Sequence, residues 1–334
     1  MSNKSNEIPS LHSIYKDHFM IGAAVNPLTL NTQGELIKKQ FNSITAENQM
    51  KFEELQPEPG RFTFEVADKI VSFAKENSMK VRGHTLVWHN QTPDWMFMNE
   101  DGSVTDRETL LERMKFHITT VMERYKGQIY CWDVVNEVVA DEGTELLRES
   151  KWTEIIGDDF IEKAFEYAHE ADPEALLFYN DYNESHPNKR EKIYTLVKGL
   201  VDKGIPIHGI GLQAHWNLKG PSYEDIRAAI EKYATLGLEI HLTEMDVSVF
   251  SYEDRRADLT EPTEEMQALQ IERYTELFKM LREYSHVITS VTFWGAADDY
   301  TWLDDFPVRG RKNWPFVFDE NHEPKESFWS IIDF

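Results

Sequence analysis

The chain has 334 residues and a formal net charge of −24, from 59 acidic and 35 basic side chains. Hydrophobic residues make up 41% of it and aromatic residues 12%, enough to build a large core, which excludes a disordered protein. Because so negative a protein repels phosphate backbones and anionic lipids, we expect neither nucleic acid nor a membrane as a partner. Solubility alone is the simpler explanation of the charge.

Eight short apolar runs, bounded by polar or turn residues, are predicted to be strands. In chain order they are 19–25, 42–46, 80–87, 129–135, 175–179, 209–214, 239–243 and 287–293. Amphipathic patterns between them predict helices at 66–77, 105–125, 158–171, 189–203, 223–236 and 264–284. Glycines follow three of these helices, as expected of C-caps: Gly127, Gly204 and Gly237.

The regular alternation of strand and helix predicts the fold. Strands joined by helical crossovers lie parallel, and eight such units close into a single (β/α)8 TIM barrel. An open, doubly wound sheet is the alternative, but no Gly-x-Gly-x-x-Gly turn follows the first strand. No linker or repeat divides the chain, so we expect one domain over residues 1–334. The longer loops after the third and eighth strands are expected at the face where barrel enzymes place their active sites.

The cysteine content and the N-terminus indicate the compartment. The single cysteine, Cys131, lies in an apolar run and cannot form an intrachain disulfide. Residues 1–7 contain no apolar segment of the kind that directs secretion, and no run approaches the length of a membrane span. We therefore expect a cytoplasmic protein, although a secreted chain whose signal had been removed would look the same.

Two predicted strands are followed by glutamates, Glu137 after the fourth and Glu244 after the seventh. A closed barrel brings both to one opening. Two carboxyl groups facing each other there can act as proton donor and nucleophile on a glycosidic bond. A single strand-end glutamate is more often a salt-bridged loop residue, but two with polar neighbours favour a catalytic pair.

Three further polar residues stand beside these glutamates. His215 follows the sixth strand and Asp246 lies two residues past Glu244, so we expect a hydrogen-bonded chain that keeps Glu244 ionised, as a nucleophile requires. Asn136 precedes Glu137, and its amide can bond a sugar hydroxyl or, alternatively, satisfy loop backbone.

A metal site is not expected. His84 and His89 are five residues apart, so on a strand they point to opposite faces and cannot bind one ion together. The chain has no His-Glu-x-x-His motif and no cysteine cluster. We predict neither a metal nor another cofactor.

Several aromatic residues lie at predicted strand ends or in loops: Trp88, Tyr179, Tyr182, Trp294 and Trp302. Sugars present apolar C–H faces that pack on aromatic rings, so the set predicts a cleft that binds pyranose rings. For any one tryptophan taken alone, packing in the core is the alternative.

Seven motifs carry a resemblance to a known family. They are TAENQMK at 45–51, RGHTLVWH at 82–89, WDVVNE at 132–137, NDYN at 180–183, QAH at 213–215, TEMD at 243–246 and TFWG at 292–295. In these motifs and their order the chain closely resembles glycoside hydrolase family 10, the β-1,4-xylanases. The resemblance implies a barrel fold and a retaining mechanism in which Glu137 is the acid/base and Glu244 the nucleophile.

The resemblance also implies a set of residues that bind sugars on the non-reducing side of the cleaved bond. The set is Glu47, Asn48, Lys51, His84, Trp88, Gln91, Asn136, Gln213, His215, Trp294 and Trp302. Lys51 and Glu47 are expected to hold the hydroxyls of xylose. We add Tyr182 to the substrate-binding residues because of its place among the aromatic residues.

The chain departs from the family pattern in three places. Gln49 stands where the family usually has glutamate, and the segment around Trp302 lacks the arginine often found beside it. Residues 325–328 read Lys-Glu-Ser-Phe instead of Lys-Pro-Ala-Tyr, a change we expect to affect packing only. No carbohydrate-binding module is apparent, which resembles the intracellular branch that finishes imported xylo-oligosaccharides.

The expected function is therefore that of a retaining endo-1,4-β-xylanase acting on xylo-oligosaccharides and xylan. A catalytically silent barrel that binds xylo-oligosaccharides is the alternative, and the presence of both glutamates argues against it. A metal-dependent barrel enzyme is a third possibility, disfavoured by the spacing of the histidines. The sequence leaves the oligomeric state open.

Overall fold

The computed structural model describes residues 7–334 and contains nine parallel strands in one sheet. They are β1 (Met20–Val25), β2 (Ser43–Ala46), β3 (Lys80–Val87), β4 (Cys131–Asn136), β5 (Leu176–Asp181), β6 (Gly209–Leu212), β7 (His215–Asn217), β8 (Glu239–Ser248) and β9 (Ile288–Phe293). β1 pairs with both β2 and β9, and β6 pairs with both β5 and β8, so eight strands close into a barrel. The predicted (β/α)8 barrel is confirmed and the open sheet is excluded.

The boundaries of two predicted strands were wrong. The sixth strand ends at Leu212, Ala214 has a positive φ of 58°, and the chain resumes as β7 beside the far end of β8. β8 runs to Ser248, so Glu244 and Asp246 lie within a strand and not beyond its end. The reason is non-local: β9 pairs with β8 as far as Met245, and β7 pairs with β8 from Asp246 to Ser248.

Twelve α-helices are present in the described residues, most of them between successive strands. They are α1 (Leu11–Ile14), α2 (Pro27–Thr32), α3 (Gly34–Gln40), α4 (Phe52–Leu55), α5 (Glu65–Glu76), α6 (Arg107–Arg124), α7 (Lys151–Ile155), α8 (Phe160–Ala171), α9 (Pro187–Asp202), α10 (Tyr223–Ala234), α11 (Glu264–Glu283) and α12 (Glu326–Ile332). Short 3-10 turns form at Asp94–Phe97 and Trp302–Asp304. The six predicted helices are confirmed with ends shifted by a few residues.

Helix ends follow the sequence signals. Thr263 caps α11 by accepting a hydrogen bond from the backbone of Met266. Gly127, Gly204 and Gly237 have φ between 69° and 78°, the left-handed conformation that a C-cap glycine adopts without steric cost. Within the described residues no helix is long and apolar enough to cross a membrane.

One apolar core fills the space between the strands and the helices around them. On α5, for example, Ala67, Ile70, Val71 and Ala74 share one buried face at helical spacing. The barrel packs so closely that some positions admit only glycine. A Cβ on Gly83 of β3 would lie 2.2 Å from ring atoms of Trp132.

This crowding makes a stability prediction. Gly83→Ala is expected to lower the free energy of unfolding by about 1 to 3 kcal/mol, because the Trp132 ring or the β3 backbone must move. Gly199→Ala is the matched control: Gly199 lies in α9 with no atom within 4 Å of the added Cβ, and the change is expected to raise stability by up to about 1 kcal/mol. Urea unfolding of the two variants checks both, and equal effects would contradict the packing argument.

Candidate active site

The two glutamates lie at the carboxyl ends of the barrel strands. Glu137 directly follows β4 and has a φ of 58°, a left-handed conformation uncommon for a non-glycine residue. Its backbone N–H donates to the carbonyl of Asn180 at 2.9 Å, and its carbonyl accepts from Nε of Arg148 at 3.1 Å. These two contacts hold the backbone so that the side chain points into the barrel mouth.

The carboxyl group of Glu137 has two neutral donors. Nε1 of Trp88 donates to Oε2 at 2.8 Å and Nε2 of Gln213 donates to Oε1 at 2.8 Å. Burial raises the pKa of Glu137, and the nearby carboxylates of Asp181 and Glu244 raise it further, which outweighs these hydrogen bonds. The surroundings of Glu137 therefore stabilise its protonated form relative to a glutamate in water.

The carboxyl group of Glu244 is held differently. Nδ2 of Asn180 donates to Oε1 at 2.9 Å, and Nε2 of His215 donates to Oε2 at 2.9 Å. Burial by itself would raise the pKa of Glu244, but the His215 hydrogen bond and the charge of Lys51 outweigh it and lower the pKa. The surroundings of Glu244 therefore stabilise its ionised form relative to a glutamate in water.

The predicted chain of His215, Asp246 and Glu244 is present in the structure. Nδ1 of His215 donates to Oδ1 of Asp246 at 3.0 Å, and Nε1 of Trp302 donates to Oδ2 of Asp246 at 2.9 Å. Burial lowers the pKa of His215, but Asp246 and Glu244 outweigh it and raise the pKa to about 10. His215 is thus a cation at neutral pH that donates one N–H to each carboxylate.

Amide side chains join the two glutamates into one network. Oδ1 of Asn136 accepts from Nδ2 of Asn180 at 2.9 Å and from Nε2 of Gln213 at 3.4 Å. Asn180 bonds to Glu244 and Gln213 bonds to Glu137, so a continuous path of hydrogen bonds connects the two carboxyl groups. Asn136 was predicted at the site, but its central place in this network was not.

A buried ion pair lies beneath the site. Both terminal nitrogens of Arg82 bond to Asp133, at 2.8 and 3.0 Å, and Nδ1 of His84 donates to Oδ2 of Asp133 at 2.8 Å. Burial raises the pKa of Asp133, but Arg82 outweighs it and holds the pKa well below its usual range. The pair orients His84 so that its Nε2 lies 3.7 Å from Oε1 of Glu244. Arg82, Asp133 and Asn180 lie within three of the family motifs, but no role was predicted for them.

A second polar cluster contains four of the predicted sugar-binding residues. Nζ of Lys51 donates to Oδ1 of Asn48 at 2.8 Å and to Oε1 of Gln91 at 3.0 Å. Glu47 accepts from Nδ2 of Asn26 at 2.9 Å and from the hydroxyl of Tyr300 at 3.2 Å. Burial lowers the pKa of Lys51 although nearby glutamates oppose this. The cluster is a set of ordered donors and acceptors suited to sugar hydroxyls.

The tryptophans lie around the two carboxyl groups. Lys51 Nζ lies 4.9 Å from the ring centre of Trp88, and Trp294 packs edge-on against His84 with ring centres 5.5 Å apart. The ring centres of Trp302 and His215 are 4.9 Å apart. Together these rings give the barrel mouth its apolar surfaces.

The two predicted tyrosines lie elsewhere. The Tyr182 hydroxyl donates to Asp141 at 2.5 Å and accepts from Arg148 at 2.8 Å. Tyr182, directly after β5, therefore packs against the loop that supports Glu137 and not against the Lys51 cluster. The expectation for Tyr179 was wrong: its ring is fully buried and its hydroxyl bonds to Asp181. Tyr179 packs in the core and offers no surface to a sugar.

The departures from the family pattern have structural partners. Oε1 of Gln49 accepts from the backbone of Asn48 at 3.3 Å. Where the arginine beside Trp302 is lacking, the Trp302 ring stacks on Phe306, with ring centres 4.7 Å apart. Lys325, which matches the family pattern, forms an ion pair with Asp298 at 2.9 Å, and Phe328, at one of the changed positions, is fully buried. Over residues 7–334, His, Cys, Asp and Glu side chains form no group of three that could hold a metal ion.

Two carboxyl groups in one network, with the pKa of Glu137 raised and the pKa of Glu244 lowered, define the class of the site. Cleavage of a glycosidic bond by two carboxyl groups needs one that gives a proton and one that attacks or activates water. Glu137 and Glu244 meet those needs in a mouth lined by polar side chains and tryptophan rings. The fold and the site together are those of a barrel glycoside hydrolase.

Comparison with known proteins identifies the family. A sequence model of glycosyl hydrolase family 10 matches residues 10–334, and the chain belongs to this family. It is 62% identical to an endo-1,4-beta-xylanase of Geobacillus stearothermophilus, over 98% of this chain and 99% of that protein. The crystal structure of xylanase XynB from Paenibacillus barcinonensis, complexed with a conduramine derivative, matches with a TM-score of 0.97 and 60% identity, covering 98% and 99% of the two chains. A xylanase structure from Caldicellulosiruptor owensensis matches with a TM-score of 0.96 and 54% identity, covering 98% and 100%.

The environment of His215 generates a prediction. Asp246→Asn removes the charge that raises the pKa of His215, so this pKa is expected to fall by more than about one unit. Nitrogen NMR of the imidazole across the pH range measures the change. Asp299→Asn is the matched control, because Asp299 pairs with His322 at 3.0 Å and makes no contact with His215. An unchanged His215 titration in Asp246→Asn would show that Asp246 does not hold the histidine charged.

Proposed function

We propose that the protein is an endo-1,4-β-xylanase that hydrolyses internal β-1,4-xylosidic bonds of xylo-oligosaccharides and xylan with retention of configuration. The observation that carries the proposal is the pair Glu137 and Glu244 in one hydrogen-bond network, where neutral donors hold Glu137 and His215 donates to Glu244, with their pKa values shifted in opposite directions. Two relatives that match over 99% of their own length are named endo-1,4-beta-xylanases, and we take the substrate class from them. One related structure, 50% identical, holds xylotriose in a mutant enzyme.

The first chemical step breaks the glycosidic bond. Glu137 gives its proton to the glycosidic oxygen while the ionised carboxylate of Glu244 attacks the anomeric carbon. The bond between that carbon and the oxygen breaks with its electron pair on the oxygen, and the shortened chain leaves as an alcohol. A covalent glycosyl ester on Glu244 remains, and Glu137 is now ionised.

The second step releases the sugar. Glu137 takes a proton from water, whose oxygen attacks the anomeric carbon as the ester bond to Glu244 breaks. His215 stabilises the departing carboxylate through the hydrogen bond between its Nε2 and Oε2 of Glu244. Two inversions at one carbon give net retention, and both glutamates return to their starting protonation states.

Substrate binding follows from the polar cluster and the tryptophans. Lys51, Asn48 and Gln91 present charged and amide groups, and Glu47 presents carboxylate oxygens, to the hydroxyls of a xylose ring. Trp88, Trp294 and Trp302 offer ring faces and edges to its C–H surfaces. Tyr182 is assigned to the opposite side, beside Arg148 and the loop after Glu137. A silent sugar-binding barrel, the alternative function, has no observation in its favour.

Cytoplasmic location stays a prediction, and with it a preference for short substrates. An enzyme confined to the cytoplasm meets imported oligosaccharides, so xylotriose to xylohexaose should be cut faster per bond than insoluble xylan. Fractionation of the native host, with a cytoplasmic marker enzyme followed in parallel, tests the location. Native protein in the culture supernatant without lysis would contradict it.

Replacing each of the two glutamates by alanine is expected to affect activity in a different way. Glu137→Ala should lower kcat on xylo-oligosaccharides by roughly 10²- to 10⁴-fold, yet retain a burst on a dinitrophenyl xylobioside, whose leaving group needs no proton. Added azide should attack the xylobiosyl-enzyme, restore turnover and give β-xylobiosyl azide. Glu244→Ala should hydrolyse neither substrate, because no group remains to attack the anomeric carbon.

A matched control lies on the same strand as the nucleophile. Glu239 stands at the opposite end of β8, where it accepts a hydrogen bond from Thr289 at 2.7 Å. Glu239→Gln should therefore keep the wild-type kcat. In a separate assay, the wild-type enzyme should still hydrolyse an aryl xylobioside when EDTA is added, because no metal is expected in the mechanism. Equal losses in Glu137→Ala and Glu244→Ala on the dinitrophenyl substrate would show that the assigned roles are wrong.

A further inference from the structure

One fully buried histidine inside the barrel takes no part in the proposed mechanism. His241 lies on β8, three residues before Glu244, and has no exposed surface. Its ring stacks on that of Phe178 of β5, with ring centres 4.2 Å apart, so its orientation inside the sheet is fixed. A polar ring buried in this way needs hydrogen-bond partners, and those partners show what it can do.

The partners of His241 fix the position of its proton. Nε of Arg82 lies 3.1 Å from Nδ1 of His241, and because a guanidinium group only donates, Nδ1 accepts and carries no proton. The proton is therefore on Nε2, which donates to Oγ1 of Thr289 at 3.0 Å. Burial lowers the pKa of His241 to about 4, so at neutral pH the ring is neutral and keeps this tautomer.

The hydroxyl of Thr289 completes the arrangement at the amino-terminal ends of the strands. It donates its single proton to Oε2 of Glu239 at 2.7 Å, which leaves its oxygen to accept from His241. The Glu239 side chain is 40% exposed, so water is close by. Glu239 serves here only as an acceptor, and an amide oxygen in its place would accept equally well.

Arg82 links His241 to the active site. Its guanidinium is bonded at three nitrogens, Nε to His241 and both terminal nitrogens to Asp133. A planar group held at three positions cannot rotate, so the Asp133 carboxylate is fixed in the same plane. Nδ1 of His84 donates to that carboxylate, and Nε2 of the same ring lies 3.7 Å from Oε1 of Glu244.

The bond between Arg82 and His241 has no substitute. Within residues 7–334, Nε of Arg82 has no other acceptor, and the whole side chain is buried. A buried donor that loses its acceptor costs free energy, which the guanidinium lowers by turning out of its present plane. Such a movement displaces the Asp133 carboxylate and the His84 ring, and therefore changes the surroundings of Glu244.

We propose that His241 is a positioning residue for the nucleophile: it holds the Arg82 guanidinium in the plane that orients Asp133 and, through it, keeps His84 in place beside the Glu244 carboxylate. The inference rests on the proposed xylanase function and deepens it. His241 contacts neither the substrate nor the reacting atoms. It acts only through the residues that lie between it and Glu244.

The protonation of Glu244 reports on this positioning. Burial raises the pKa of Glu244, whereas the hydrogen bond from His215 and the charge of His84 lower it. Displacement of His84 therefore raises this pKa, so that activity that needs the ionised carboxylate is lost at a higher pH as the solution is acidified. The charged or titratable side chains around Glu244 and its immediate partners are Glu47, Lys51, His84, Glu137, His215 and Asp246.

Two substitutions of His241 separate positioning from packing. His241→Leu removes the acceptor and keeps a side chain of similar bulk, whereas His241→Asn places an amide oxygen near the position of Nδ1. On xylohexaose, His241→Leu is expected to lower kcat/KM about tenfold and to move the acid limb of its pH profile up by about half a unit. His241→Asn is expected to return both the rate and the acid limb toward wild-type values.

His117→Leu is the matched control. His117 lies on α6, is fully buried, has its pKa lowered by burial to about 3, and bonds through Nδ1 to Gln56, with no contact to the barrel interior pair. This variant should lose stability as His241→Leu does, while kcat/KM per folded molecule and its pH profile stay at the wild-type level. Thermal unfolding and active-fraction measurements on both variants put the rates on the same basis.

A milder variant covers the case in which His241→Leu does not fold. Thr289→Val replaces a partly exposed side chain by one of the same shape and removes the acceptor of His241 Nε2. It should move the acid limb in the same direction by a smaller amount.

The outcomes separate this inference from the function on which it rests. A wild-type pH profile in His241→Leu or, if that variant does not fold, in Thr289→Val would overturn the positioning role and leave the xylanase function intact. A His241→Asn enzyme no better than His241→Leu would overturn it as well. Failure of the wild-type enzyme to hydrolyse xylohexaose would overturn the proposed function itself.

Discussion

The site depends on one electrostatic constraint: ionising both of two neighbouring carboxyl groups at a desolvated barrel mouth costs free energy, through burial and through repulsion between like charges. The structure resolves this by giving each group different donors. Glu244 receives a charge-assisted hydrogen bond from His215, which Asp246 holds as a cation, whereas Glu137 receives only neutral donors, from Trp88 and Gln213. The same constraint that would destabilise a pair of like carboxylates therefore yields one acid and one nucleophile.

The barrel is what makes this division possible. The donors come from different strands and loops, so their relative positions are fixed by a closed sheet and not by any local turn. Beneath them, the Arg82–Asp133 pair compensates two buried charges and orients His84 toward Glu244. Breaking one partner of such a pair leaves an unpaired buried charge, so the interior of the barrel and the chemistry at its mouth are coupled.

Local patterns in the sequence predicted the strands, the helices, the glycine caps and the two glutamates, because periodicity and turn chemistry are local properties. What failed was non-local. The extension of β8 past Glu244 depends on pairing with β7 and β9, which a strand pattern does not contain. Tyr179 is fully buried, and its hydroxyl accepts a hydrogen bond from the backbone of Val139, a residue 40 positions away in the loop after β4. Asn180 lay within a recognised motif, but its bonds to Asn136 and Glu244 exist only once the closed barrel brings β4, β5 and β8 together.

The most direct test is to titrate the two carboxyl groups in the resting enzyme by carbon NMR of labelled glutamate, assigned with Glu137→Gln and Glu244→Gln. The structure predicts that the pKa of Glu244 lies below the ordinary glutamate value of about 4.3 and that the pKa of Glu137 lies above it. The reverse order, or two carboxyl groups that titrate together near the ordinary value, would contradict the division of roles.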